Sequence, residues 1–119
     1  METFRFLRFP VYVQAKEFYK KVLKVSTRIK NSYSLKDQIT RAALSVVLNI
    51  AEGSAKKSDK EFARFLETAI ASMNEVVSAL DVMKDLKVLT EVEYNGFLRE
   101  ADSIVRQLGG FIKKLYSKS

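Results

Sequence analysis

Apolar residues in this chain return in alternating steps of four and three along four separate stretches, and that rhythm limits the fold more than any other feature. The first row is Val11, Ala15, Phe18, Val22, Val25 and Ile29, and the second is Leu35, Ile39, Ala42, Val46 and then Asn49. The third is Phe62, Leu66, Ala69, Met73, Val76, Leu80 and Met83, and the fourth Tyr94, Leu98, Ala101, Val105, Leu108, Ile112 and Leu115. Such steps keep side chains on one side of an α-helix and would scatter them over both faces of a strand. Rows held this long are the inner seams of a helix bundle, and the short links between them make successive helices antiparallel neighbours. The expected fold is an all-α, antiparallel, up-down four-helix bundle in a single domain. Its helices fall at about 10–30, 35–52, 59–86 and 91–116, behind an N-terminal arm at 1–9.

The punctuation supports these segments. Ser34 with Asp37, Ser58 with Glu61 and Thr90 with Glu93 each place a hydroxyl where it accepts from a free helix-start N–H, with an acid three residues on. Pro10 stands where the first helix begins and its missing N–H is not needed. Gly53 follows the second row, where a left-handed closing residue is expected.

Composition mostly excludes. The 119 residues include 47% hydrophobic and 29% charged side chains, an ordinary globular balance for one core. With no Cys and no His there is no disulfide framework, no thiol–imidazole or Ser–His pair and no ordinary zinc ligand set. A carboxylate-only Mg²⁺ or Ca²⁺ site stays open, yet the acids are scattered singly and no phosphate-binding glycine loop is present. The expectation is a protein with no catalytic residue, no metal and no cofactor. No apolar run is long enough to span a membrane, and Arg5 interrupts the apolar start, which argues against a signal peptide and for a cytoplasmic location.

Some apolar surface is left over. Leu44 and Leu48 lie on the opposite side of the second helix from Ile39, Val46 and Ile50, and Tyr12, Tyr19 and Leu23 flank the first seam. One bundle leaves a side of every helix in water, so these five residues are expected at an interface between copies. Arg41, Asn49 and Glu52 are read as structural polar residues. Asn49 falls on the seam and fixes register, and Glu52, unfavourable at a helix C-terminus, is expected to have a basic partner.

Charge is uneven. Residues 1–60 hold 13 Lys/Arg against 5 Asp/Glu, whereas residues 61–119 hold 8 against 9, within a net charge of +7. Lys16, Lys20, Lys24 and Arg28 follow every fourth residue with Lys21 alongside, opposite the first seam and with only Glu17 for balance. The row serves either as a solvated face or as a track for the phosphates of RNA or DNA. Lys56, Lys57 and Lys60 surround the start of the third helix, where free N–H groups favour anions. In the arm, Phe4, Phe6 and Phe9 alternate with Arg5 and Arg8, a pattern that covers a bundle end or stacks on single-stranded bases.

Three runs carry a resemblance. They are Gln38-Ile39-x-Arg41-Ala42-Ala43-x-Ser45-Val46-x-x-Asn49-Ile50-Ala51-Glu52-Gly53, then Ser58-x-x-Glu61-Phe62-x-x-Phe65-Leu66-x-x-Ala69, then Ser72-x-x-Glu75. With Val11-Tyr12-x-x-Ala15 ahead of them, they resemble the four-helix bundle proteins encoded by intervening sequences in bacterial 23S rRNA genes, relatives of the accessory variability (Avd) proteins of diversity-generating retroelements. The resemblance implies a ring-like homopentamer without catalytic residues. For the Avd branch it implies a basic barrel that binds nucleic acid and a reverse transcriptase. The chain departs from the pattern at Tyr12 (usually Trp), Lys56 (Arg), Ala71 (Gly) and Lys87 (Gly). Lysine cannot reproduce the bidentate phosphate contact of arginine.

Overall fold

The computed structural model describes residues 3–118, so the first two residues of the expected arm lie outside the described part. A 3-10 turn over Arg5–Arg8 leads into four helices: α1 Pro10–Ser26, α2 Tyr33–Ser54, α3 Asp59–Asp85 and α4 Glu91–Lys118. There is no strand among the described residues. The helices touch in the cyclic order α1, α2, α3, α4 and back to α1 around one core, in a body of 45 × 21 × 21 Å. Along α1, Gln14 meets Ser103 and Gln107, Lys21 meets Glu100, and Arg28 just beyond meets Glu93, so rising numbers on one helix meet falling numbers on the other.

The first seam is buried throughout, including Ile29, although α1 stops at Ser26 rather than near 30. The hydroxyls of Ser26 and Thr27 donate to the carbonyls of Leu23 and Lys24 at 2.8 and 2.7 Å. These bonds compete with continued helix, and tight turns carry Ile29 back into the core. α2 begins two residues ahead of the expected place, because Ser32, not Ser34, accepts from the N–H of Leu35 at 3.1 Å. The other two starts are as read. Ser58 accepts from Glu61 N–H, and Thr90 and Glu93 cap each other's backbone N–H at 3.0 Å.

Gly53 does not close α2. The helix runs on through it to Ser54, and no glycine has a positive φ. A Cβ at Gly53 would stand 2.8 Å from Phe65 Cβ and 2.9 Å from Phe62 Cδ1, so hydrogen is what lets α3 approach. The left-handed residue is Lys87, at φ 65°, after α3. Its N–H donates to Lys84 O at 3.0 Å and that of Val88 to Met83 O at 2.9 Å, the paired bonds of a Schellman closure.

On α4 the buried row is Phe97, Ala101, Ile104, Leu108 and Leu115, while Tyr94, Leu98, Val105 and Ile112 are only half-buried. The expected seam and the real one share residues 101, 108 and 115. The alternating members between them are decided by where α1 and α3 sit, which periodicity does not encode. Asn49 is likewise displaced: Ile50 holds the core position and Asn49 is half-buried on the flank toward α3.

At the end where α2 gives way to α3, the arm packs down as a cover. Phe9 stacks on Phe62 at 6.4 Å and meets Phe111 edge-on at 5.4 Å, and Phe6 meets Tyr12 at 5.0 Å. Phe4 stays exposed.

Candidate nucleic-acid interface

The cations of the α1 row divide into two sets according to which neighbour they face. Lys21 and Arg28, seven residues apart, turn toward α4. Lys21 Nζ donates to Glu100 at 2.9 Å. Arg28, just past the helix, makes a two-pronged pair with Glu93 at 2.9 Å for each bond and donates to Val88 O at 3.2 Å. The guanidinium and the Thr90 N–H together hold the Glu93 carboxyl down at about 2. These contacts correct the expectation that Glu17 alone balances the row. Glu93 and Glu100 are also seven apart, on the α4 face that meets α1, and no local spacing could place them there.

Lys16, Lys20 and Lys24 form the outward set, all exposed, with Lys24 also lining the α1–α4 groove beside Glu93 and Glu100. Lys20 reaches Glu17 at 3.1 Å, a surface pair of small energetic consequence. The Lys16 ammonium lies 5.0 Å from the Tyr12 ring centre. Lys24 has no acid partner among the described residues. The outward track is therefore three lysines rather than five cations.

At the start of α3, Lys56, Lys57 and Lys60 are exposed, with Lys56 4.8 Å from the Phe65 ring centre. Asp59 and Glu61 occupy the first turn, where their charge answers the helix dipole, and Ser58 Oγ takes the Glu61 N–H. The cluster can contribute charge near a phosphate, but it does not form a backbone cradle.

The apolar surplus flanks the ridge of α2. Tyr19, Leu23 and Leu44 line a shallow α1–α2 groove, with Leu48 exposed further along the ridge. Tyr12 is half-buried and meets the Phe6 ring of the arm at 5.0 Å. Across the ridge, the polar residues of the sequence runs come together in a second groove between α2 and α3. Gln38, Arg41, Ser45, Asn49, Glu52, Ser72 and Glu75 line it with Leu44 and Leu48. Asn49 Nδ2 donates to Ser45 O at 2.8 Å and Ser45 Oγ at 3.0 Å, and Ser45 Oγ meets Ser72 Oγ at 2.8 Å. Ser45 thus ties α2 to α3, and Asn49 braces it from within α2. Arg41 is 3.9 Å from Asp37 and largely exposed. Glu52 has no cation partner among the described residues, contrary to expectation. Sequence reading quoted Gln38, Ser45, Ser72 and Glu75 without assigning them a place. Their signal was polar steps of three and four on a helix whose apolar row was already accounted for. Among the described residues no three acids gather to hold a metal ion, and no helix is long and apolar enough to cross a membrane.

Taken together, this is an all-helical, four-helix chain whose polar surface is organised as an outward lysine row and a groove beside α2. Residues 8–110 match the family of 23S rRNA-intervening sequence proteins, and the chain belongs to that family. Its fold is similar to that of a crystal structure from Bacteroides thetaiotaomicron, described as a protein of unknown function from the S23 ribosomal protein family. The TM-score is 0.81 at 23% identity, over 87% of this chain and 98% of the other. No curated protein matches the chain.

Proposed function

We propose that this protein is a non-enzymatic, oligomeric, nucleic-acid-binding or scaffold protein, built as an antiparallel up-down bundle that repeats its basic face in a ring. The falling-against-rising order of α1–α4 contacts supports the antiparallel reading. The observation that carries the binding reading is the exposed row Lys16, Lys20 and Lys24, in which, among the described residues, only Lys20 is paired to an acid, Glu17. Each lysine laid against a phosphate releases condensed counterions, so contacts of this kind favour RNA or DNA with little sequence preference. Lys56, Lys57 and Lys60 extend the same positive surface, while Lys21 and Arg28 serve the α1–α4 contact first. Self-association through Leu23, Leu44, Leu48 and Tyr19 multiplies the row by the number of copies, five by the family resemblance.

Titration of labelled single-stranded RNA and duplex DNA over a salt series tests this. Expected is binding at low salt that falls steeply as salt rises. In the variant Lys20→Glu with Lys24→Glu, the slope of log K against log salt drops by about 2, near one per lost phosphate contact. No binding at low salt overturns the reading, and binding indifferent to that variant moves it off α1.

A second reading is favoured by the α2–α3 groove, whose acids Glu52 and Glu75 have no cation partner among the described residues. On this reading the protein is an interaction module, such as an accessory subunit of a retroelement reverse transcriptase related to the Avd proteins, with its charge incidental. A reverse transcriptase gene beside a template and variable repeat would support it, and an insertion within an rRNA gene would not.

A further inference from the structure

The rings of the arm divide between two sets of contacts. Phe9 packs inward on Phe62 and Phe111, and Arg5 pins the arm there, donating to Ser54 O at 3.2 Å with its guanidinium over the Phe9 and Phe62 rings. The other two rings lead elsewhere. Phe4 meets Phe6 edge-on at 6.4 Å, Phe6 meets Tyr12 edge-on at 5.0 Å, and the Lys16 ammonium lies 5.0 Å from the Tyr12 ring centre. Three rings thus form a ladder that begins where the outward lysine row ends. Its outermost ring, Phe4, is 52% exposed.

We infer that this ladder is a stacking platform for bases, and that the nucleic acid taken by the lysine row is single-stranded. The inference rests on the binding reading above and names the form of nucleic acid that the row accepts. An exposed ring standing alone would carry no such meaning. This one adjoins Lys16, Lys20 and Lys24, all exposed and about 6 Å apart along α1, so a strand whose phosphates follow the lysines brings its next base to the rings. Arg8, also exposed, adds positive charge on the arm itself. A duplex keeps its base faces stacked on one another, whereas a single strand has faces free to turn onto an aromatic side chain. Every base has such a face, so the platform adds affinity without sequence preference. The arm is held by Phe9 and Arg5, so the outer rings are pre-positioned and Phe4 is not needed to seat them.

Fluorescence anisotropy on the full-length protein tests this with three probes: a single-stranded DNA, the same strand in duplex form, and an abasic strand of equal length that keeps the phosphates and lacks the bases. Phe4→Ala should weaken binding of the single strand about fivefold or more, the loss of one stacked base. Its binding of the duplex and of the abasic strand should stay unchanged, as should the slope of log K against log salt, since no phosphate contact is removed. Circular dichroism checks that helicity and melting temperature hold. The chain contains no tryptophan, so Phe4→Trp supplies a single reporter. That variant should bind the single strand at least as tightly as the parent, and its emission should be quenched by the strand with bases and not by the abasic one. If no probe binds at low salt, the nucleic-acid reading fails and this inference with it. If the probes bind but Phe4→Ala weakens all of them alike or none, or the Phe4→Trp emission ignores the bases, only the stacking platform is overturned and the lysine row stands.

Discussion

The turn between α2 and α3 and the turn between α3 and α4 are each bridged by one arginine from the N-terminal quarter of the chain, yet they are built on opposite principles. At the first, Arg5 donates to Ser54 O at 3.2 Å while its guanidinium lies within 6 Å of the ring centres of Phe9 and Phe62. At the second, Arg28 takes Val88 O and both oxygens of Glu93. The first turn is a matter of close packing and the second of backbone handedness and charge. The glycine went to the packed turn, where no left-handed residue is needed. The left-handed position went to Lys87. A glycine at a helix end is thus no guide to chirality until the neighbouring helix is in place.

The largest expected effect breaks the packed turn. Gly53→Ala puts a methyl group 2.8 Å from Phe65 Cβ, on backbone that two helices hold in place. Overpacking of this kind costs about 1–3 kcal/mol and outweighs the helix-propensity gain of up to ~1 kcal/mol. Thermal unfolding should fall by several degrees. A variant as stable as the parent would mean that glycine is here for some other reason.

Next is the reverse change at the other turn. A non-glycine residue in the left-handed region is strained by roughly 1–2 kcal/mol, part of which is returned as entropy when glycine unfolds. Lys87→Gly should therefore stabilise by about 1 kcal/mol, measured by urea unfolding at unchanged m-value. If Gly53 and Lys87 gave effects of the same sign, the contrast between packing and handedness would collapse.

Gly109 and Gly110 sharpen the comparison from a third position. They lie within α4, exposed, and an added Cβ meets nothing within 4 Å. Paired glycines inside a helix mark a bend or the close approach of another backbone, and among the described residues of one copy nothing comes close. Gly110→Ala should raise stability by about 0.5–1 kcal/mol from backbone propensity alone. Stability gained together with loss of assembled mass would place another copy's backbone against this point.

What the sequence made legible was local. The α1 row, the Thr90–Glu93 box and the Ser58 cap each depend on residues within a turn or two of one another. The rest depended on which helices become neighbours. Phe65 forbids a side chain at Gly53 from another helix, and Glu100 meets Lys21 from 79 residues away. The α4 seam was ambiguous for the same reason: rows through Tyr94 and through Phe97 both have helical spacing, and tertiary packing selects the second. Of the candidate site, the lysines were found and their tethering to α4 was not. The groove residues were visible as motif letters but had no location until α3 was laid beside α2.

The smallest effect belongs to the charged turn, because the Arg28–Glu93 pair is partly exposed and screened by water and salt. Its signature is a pH dependence. Glu93 has a folded value lowered from the usual carboxylate range to about 2, through hydrogen bonds from Arg28 first and from the Thr90 N–H second. A carboxylate depressed on folding contributes stability above its unfolded value, and that contribution is lost as pH falls toward the folded one. The parent should therefore lose melting temperature progressively from about pH 5 toward pH 2. Glu93→Gln keeps a hydrogen-bonding side chain beside Arg28 but has no proton to take up, so its melting temperature should start slightly lower at neutral pH and fall less over that range. Parallel curves for the two proteins would show that the turn is held by Thr90, Lys87 and the Schellman bonds without help from the ion pair. That outcome would leave backbone handedness as the whole of its contrast with the packed turn at Gly53.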